Sequence, residues 1–240
     1  MEQSEEARAE QFQRLMSKIE HLLGADGQSD DRDGQLPFGK LISRFERNHP
    51  YWKDGHDLRK LAQVRNVLVH HIGRRDLLSI PTADALTRLE TIHALMQTPT
   101  PAVAKCGREV TTLSTSNSLM DALALVDSKN YSQFPIYDSG QFCGILTENN
   151  IASWLASVRL DPNLHERIKG ARVSELLERE PSDPRAKFFR GEAPLAEVLW
   201  AFHVNPALEV AILTDDGNPD GALVGIATQW DALELGPLTA

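Results

Sequence analysis

The chain writes one unit twice, and this repetition constrains its fold more than any other feature. Ser118 to Lys129 carries helical spacing. It is followed by the strand-like Phe134-Pro-Ile-Tyr137, an Asp-Ser-Gly turn, the apolar run Phe142-Cys-Gly-Ile-Leu-Thr147, and a helix from Glu148. The same succession then returns. Pro194 to His203 reads as helix and Val210-Ala-Ile-Leu213 as strand; a Gly-rich turn leads to Leu223-Val-Gly-Ile-Ala-Thr228 and a helix from near Gln229. Leu119 and Leu195 stand 76 apart, as do Ile136 and Ile212, whereas Gly144 and Gly225 stand 81 apart. The five added residues fall in the longer turn Asp215-Asp-Gly-Asn-Pro-Asp-Gly221, where loop-closure entropy grows only slowly with length. Two similar α/β units are predicted, burying their apolar faces together.

A different pattern precedes the repeat, separated from it by Gln97-Thr-Pro-Thr-Pro101, whose prolines favour extended chain. Four helices are predicted there. The first runs from about Glu5 to Leu23, with Phe12, Leu15, Ile19 and Leu22 at three- and four-residue spacing. Gly24 to Gly34 is polar and reads as a mobile loop. The second helix spans roughly Phe38 to Arg47 and the third Asp57 to Ile72, with Gly73 as its stop. The fourth starts at Pro81, a residue suited to a first helical position, and ends near Gln97. The expected fold class is α+β: an all-α bundle over residues 1–98, then two repeats over 99–162 and 163–240.

Charge narrows the classes of partner. Residues 1–98 hold 14 Lys+Arg against 15 Asp+Glu, which leaves 11 against 19 for the remainder of a chain whose net charge is −9. An acidic repeat region argues against broad, charge-driven nucleic-acid binding there. The N-terminal Met-Glu-Gln-Ser-Glu-Glu lacks a basic start and apolar run, and no apolar stretch approaches the roughly 20 residues a bilayer crossing needs. Two cysteines, Cys106 and Cys143, make neither a disulfide framework nor a four-cysteine zinc site. A cytoplasmic protein without membrane contact or bound metal is the expectation.

Each copy closes on a glycine, two apolar residues, a threonine, and an Asp or Asn three positions later: Gly144-Ile-Leu-Thr147-Glu-Asn-Asn150 and Gly225-Ile-Ala-Thr228-Gln-Trp-Asp231. A threonine opening a helix can add a hydroxyl donor to N–H groups that favour phosphate. An aspartate three residues on lies on the same side of the first turn, placed to accept from both ribose hydroxyls. Thr-x-x-Asp is equally a capping box that only satisfies helix-end N–H groups. The doubled motif resembles the cystathionine β-synthase (CBS) domain family over about residues 103–236, which implies a tandem pair of βαββα repeats. The resemblance implies an adenine nucleotide (AMP, ADP or ATP) as regulatory ligand, with Thr228 at phosphate and Asp231 at ribose. Glu209, Val210 and Ala211 would lie at the adenine edge, Val210 as an apolar wall. Asn150 departs from the pattern, and loss of a charged acceptor predicts a weak or empty first site.

The third helix reads Leu58-Arg-Lys-Leu-Ala-Gln-Val-Arg65-Asn66-Val-Leu-Val-His70-His71. This resembles the HEPN family (higher eukaryotes and prokaryotes nucleotide-binding), whose nucleases carry an Arg, a polar residue and a His at such spacing. On one helix Asn66 and His70 lie about 40° apart, but Arg65 and His70 about 140°. The resemblance implies a homodimer that pools both copies for metal-independent RNA cleavage. His70 would be general acid or base, Arg65 would stabilise charge, and Asn66 would take the polar position. The alternative is a non-catalytic bundle that dimerises or recruits a partner, with Arg65 paired to a carboxylate.

Overall fold

The computed structural model describes residues 5–26, 36–71, 80–177 and 185–235, apart from the side chains of 68–71. The chain divides between Thr100 and Pro101 into two compact units.

The first unit holds helices α1 (Glu5–Ala25), α2 (Phe38–Asn48), α3 (Gly55–His71) and α4 (Ala83–Gln97). Its core joins Phe12, Met16, Ile19 and Leu23 of α1 to Ile42, Leu58, Leu89 and Ile92, all fully buried. The buried stripe of α1 therefore runs through Met16 and Leu23, while Leu15 packs only partly. Helix α4 begins at Ala83, not Pro81. The Thr82 hydroxyl accepts from the Ala85 N–H at 3.1 Å, and satisfying that orphan donor sets the start. Arg88 ties α4 to Asp54 (2.6 Å) and Asp57 (2.9 Å). Gly24 is still helical; the polar segment beyond Asp26 and the expected stop at Gly73 lie outside the described residues.

The second unit opens with the short α5 (Val103–Cys106) and then α6 (Leu119–Lys129), whose start is closed by a Ser118–Asp121 capping box. Strands β1 (Gln133–Asp138) and β2 (Gln141–Thr147) form an antiparallel hairpin, followed by α7 (Glu148–Val158), α8 (Leu164–Gly170) and α9 (Val173–Leu176). The second copy adds β3 (Ala186–Arg190), α10 (Leu195–Val204), β4 (Val210–Thr214), β5 (Leu223–Thr228) and α11 (Gln229–Leu235). Strand β4 lies between parallel β3 and antiparallel β5. The first copy retains that third strand only as a bridge, in which the Leu113 N–H donates to the Pro135 carbonyl and the Tyr137 N–H to the Leu113 carbonyl. The fold is mixed α+β, with helix, hairpin and helix in the same order twice.

Pairing refines the offset between the copies. Gly144 lies opposite Ile136, and Gly225 opposite Leu213, so the first hairpin strands correspond at 77 residues and not 76. Every residue of β4 is buried, so no polar alternation marks its register in the sequence. The copies meet where Ile145 of β2 packs with Val210 and Ile212 of β4, and Phe142 stands edge-on to Phe188 with centroids 5.0 Å apart.

Candidate functional site

At the end of β5, the Asp231 Oδ2 accepts from the Thr228 N–H (2.7 Å) and the Thr228 hydroxyl (2.8 Å), closing a cap. The same oxygen meets Arg108 Nη2 at 2.9 Å, and that nitrogen also donates to the Ile226 carbonyl at 2.7 Å. Arg108 precedes Asp231 by 123 residues, and a glycine contact delivers it. Gly107 bridges Gly225, where an added Cβ would stand 2.4 Å from the Cys106 carbonyl oxygen. Glycine at 225 thus permits the close backbone approach that sets Arg108 over the corner. Gly225→Ala is expected to cost about 1–3 kcal/mol of stability as backbones separate. Ligand affinity should fall with it; thermal melting and titration calorimetry together check this.

The corner opens into a cavity of about 310 Å³, in the range of small-molecule sites. Arg108, Tyr131, Gln133, Thr228, Trp230 and Asp231 line it, with Glu109 and Glu234 as further carboxylates. Among the described residues one cation therefore faces three acids. Trp230 is 73% exposed, an indole face open to a planar partner. The Gln133 Oε1 is buried with no hydrogen-bond partner among the described residues. Beneath the corner, burial pushes the Cys106 thiol up and Asp231 adds to the shift, while Arg108 opposes it. Among the described residues no group of three or more His, Cys, Asp or Glu is placed to hold a metal.

Thr228 and Asp231 thus come together, but Glu209, Val210 and Ala211 do not line this cavity. The Glu209 and Val210 N–H groups both donate to the Arg185 carbonyl, at 2.8 and 2.9 Å, and Val210 and Ala211 are fully buried. Two of their three counterparts in the first copy, Ser132 and Gln133, do line it, because the corner of one repeat faces the strand of the other, while the third, Phe134, is buried. Arg108, Tyr131, Gln133 and Trp230 were not legible as site residues; only Trp230, inside the motif itself, carried a signal.

The first corner is built alike and closed. The Thr147 N–H and hydroxyl donate to Asn150 Oδ1 at 3.0 and 2.9 Å. Arg185 takes the place Arg108 holds in the other corner, with Nη1 3.0 Å from Asn150 Oδ1 and Nη2 3.3 Å from the Ile145 carbonyl. Thr147 is 4% exposed and Asn150 3%. The leading arginine of each copy crosses to the other copy's Thr-x-x-Asx corner.

In the helical unit Arg65 pairs with Glu20 at 2.9 Å and lies 5.8 Å from the Phe38 ring centroid. Arg65 and Asn66 both line a second cavity of about 370 Å³ between α2 and α3, with Arg59 and Gln63. His70 belongs to α3, and its side chain lies outside the described residues.

Residues 103–157 match the family model of the CBS domain. A search of curated proteins finds no match. Among solved structures, the CBS domain pair of protein MJ0100, in complex with 5′-methylthioadenosine and S-adenosyl-L-methionine, is similar at 21% identity. It covers 59% of this chain and 99% of its own, with a TM-score of 0.44. CBSX2 in complex with AMP is similar at 16% identity, covering 57% and 96%, with a TM-score of 0.42. The CBS domain of a CBS-domain-containing membrane protein from Sphaerobacter thermophilus is 17% identical, covering 64% and 98%, with a TM-score of 0.46. Behind the matched first copy, the second copy repeats the same order of helix, hairpin and helix.

Proposed function

We propose that the protein is an adenine-nucleotide sensor whose ligand occupies the cavity at the second corner. The observation that carries this reading is the convergence of Thr228, Asp231 and Arg108 on one open cavity. Asp231 is the ribose acceptor: all its side-chain hydrogen bonds among the described residues fall on Oδ2. Thr228 turns its hydroxyl to the phosphate when the ligand arrives. Trp230 and Tyr131 offer aromatic faces to the base, and the orphaned Gln133 carbonyl is an acceptor for its amino group. Val210 and Ala211 lie buried on β4, with Glu209 just ahead of the strand.

The ligand binds once per chain, because Arg185 and the burial of Asn150 fill the first corner. Equilibrium dialysis with radiolabelled AMP is expected to saturate at one nucleotide per chain. Saturation at two would remove the distinction between the corners.

For residues 1–98 the reading is a HEPN-like bundle in a non-catalytic role, supporting a homodimer or recruiting a partner. The ion pair that Glu20 makes with Arg65 favours this. RNA cleavage by Arg65, Asn66 and His70 is the second reading, favoured by the cavity that Arg65 and Asn66 share. No His70-dependent RNA cleavage is expected: purified wild type and His70→Ala should leave a labelled RNA equally intact. Cleavage lost in the variant would establish the ribonuclease instead. Among the described residues no helix is long and apolar enough to cross a membrane.

A further inference from the structure

Two arginines occupy equivalent places in the two corners, yet their surroundings differ in a way that assigns them different work. Arg185 is locked against an amide that is 3% exposed, in a corner whose threonine is 4% exposed. Arg108 has a side chain 46% exposed, and its partner Asp231 is 21% exposed at the edge of an open cavity. An ion pair so accessible to water contributes little and exchanges readily. It also stands on the carboxylate that the nucleotide reading assigns to the ribose.

Resting on that reading, we propose that Arg108 is an exchangeable occupant of the site. In the free protein its guanidinium holds the Asp231 carboxylate in place of a ligand. An incoming ribose diol takes the carboxylate, and the released guanidinium takes the ligand's 5′-phosphate. Charge argues for this exchange. Among the described residues Arg108 is the one cation lining the cavity, against Glu109, Asp231 and Glu234, so an anionic ligand draws on it. The planar fork of arginine suits both partners in turn, carboxylate and phosphate. Arg108 then acts against a neutral nucleoside, which competes for Asp231 without offering the guanidinium a new partner, and in favour of a nucleotide, which does.

The test is titration calorimetry of the full chain with adenosine and with AMP, for wild type, Arg108→Ala and Arg108→Lys. Removal of Arg108 is expected to weaken AMP by about 10- to 100-fold, the loss of a charge-assisted contact. Adenosine is expected to bind about two- to fivefold more tightly to the same variant, because Asp231 is no longer held. Arg108→Lys keeps a charge without the fork and should fall between the two for AMP. Opposite movements of the two ligands cannot come from a general loss of folding, and unliganded melting curves of each variant control for it. Equal weakening of both ligands would show that Arg108 merely builds the wall, and no change in either would show that it is a bystander; both overturn the exchange. Wild type that binds neither ligand would instead remove the nucleotide reading itself.

Discussion

Asp231→Ala is expected to reduce adenine-nucleotide affinity by about 10- to 100-fold. Two ribose hydroxyls lose a charged acceptor, and hydrogen bonds to charged groups contribute about 1.5–3 kcal/mol each where water is excluded. Part of the loss is offset, because Arg108 is freed for the phosphate. The substitution also strips the Thr228 N–H of its cap, which costs about 1 kcal/mol of stability. Asp231→Asn separates the two effects: the amide oxygen preserves the cap, as Asn150 does for Thr147, while the charge is gone. Calorimetry should place Asn between wild type and Ala in affinity, with melting close to wild type. An Ala variant that binds AMP as wild type does would move the ribose away from Asp231.

Phe134→Ala is expected to lower the melting temperature of the second unit by roughly 10–20 °C. The ring is fully buried in β1, opposite Leu146, among Leu113, Leu119, Ile136 and Trp154. Removing a buried phenylalanine costs about 3–5 kcal/mol through lost transfer energy and the cavity left behind. Its two neighbours in sequence, Gln133 and Pro135, line the cavity at the second corner, so collapse around the void should weaken AMP as well. Phe134→Leu refills most of the volume and should recover most of both effects. Differential scanning calorimetry with and without AMP measures them together, and a shift of only a few degrees would show that the strand is not anchored by this ring.

Much of this architecture was readable because local signals agree with it. Helical spacing, an Asp-Ser-Gly turn and a repeated apolar hairpin place α6, β1, β2 and α7, and again α10, β4, β5 and α11, close to their observed bounds. Strand β3 is the leading strand of the βαββα order that the family resemblance implies, although Ala-Lys-Phe-Phe-Arg carries no alternation of its own. Offset 77 was hidden by neighbouring apolar residues, Ile212 and Leu213, either of which satisfies a strand buried on both faces. The motif residues Thr228 and Asp231 were visible for the same reason that they cap a helix: their spacing is local. Arg108 was not, because nothing in its own neighbourhood announces a carboxylate 123 residues away. Which strand faces which corner is likewise a property of how the copies clasp. Glu209, Val210 and Ala211 stand in the second copy, away from this cavity.

Everything functional rests on a nucleoside entering beside β5 and settling its sugar on one carboxylate. A crystal structure of the chain grown with AMP examines that directly. The account predicts the ribose on Asp231, the phosphate within reach of Arg108, the base against Trp230 and Gln133, and Asn150 still covered by Arg185. A nucleotide seated at Asn150, or an Asp231 still held by Arg108 with AMP bound elsewhere, would contradict it.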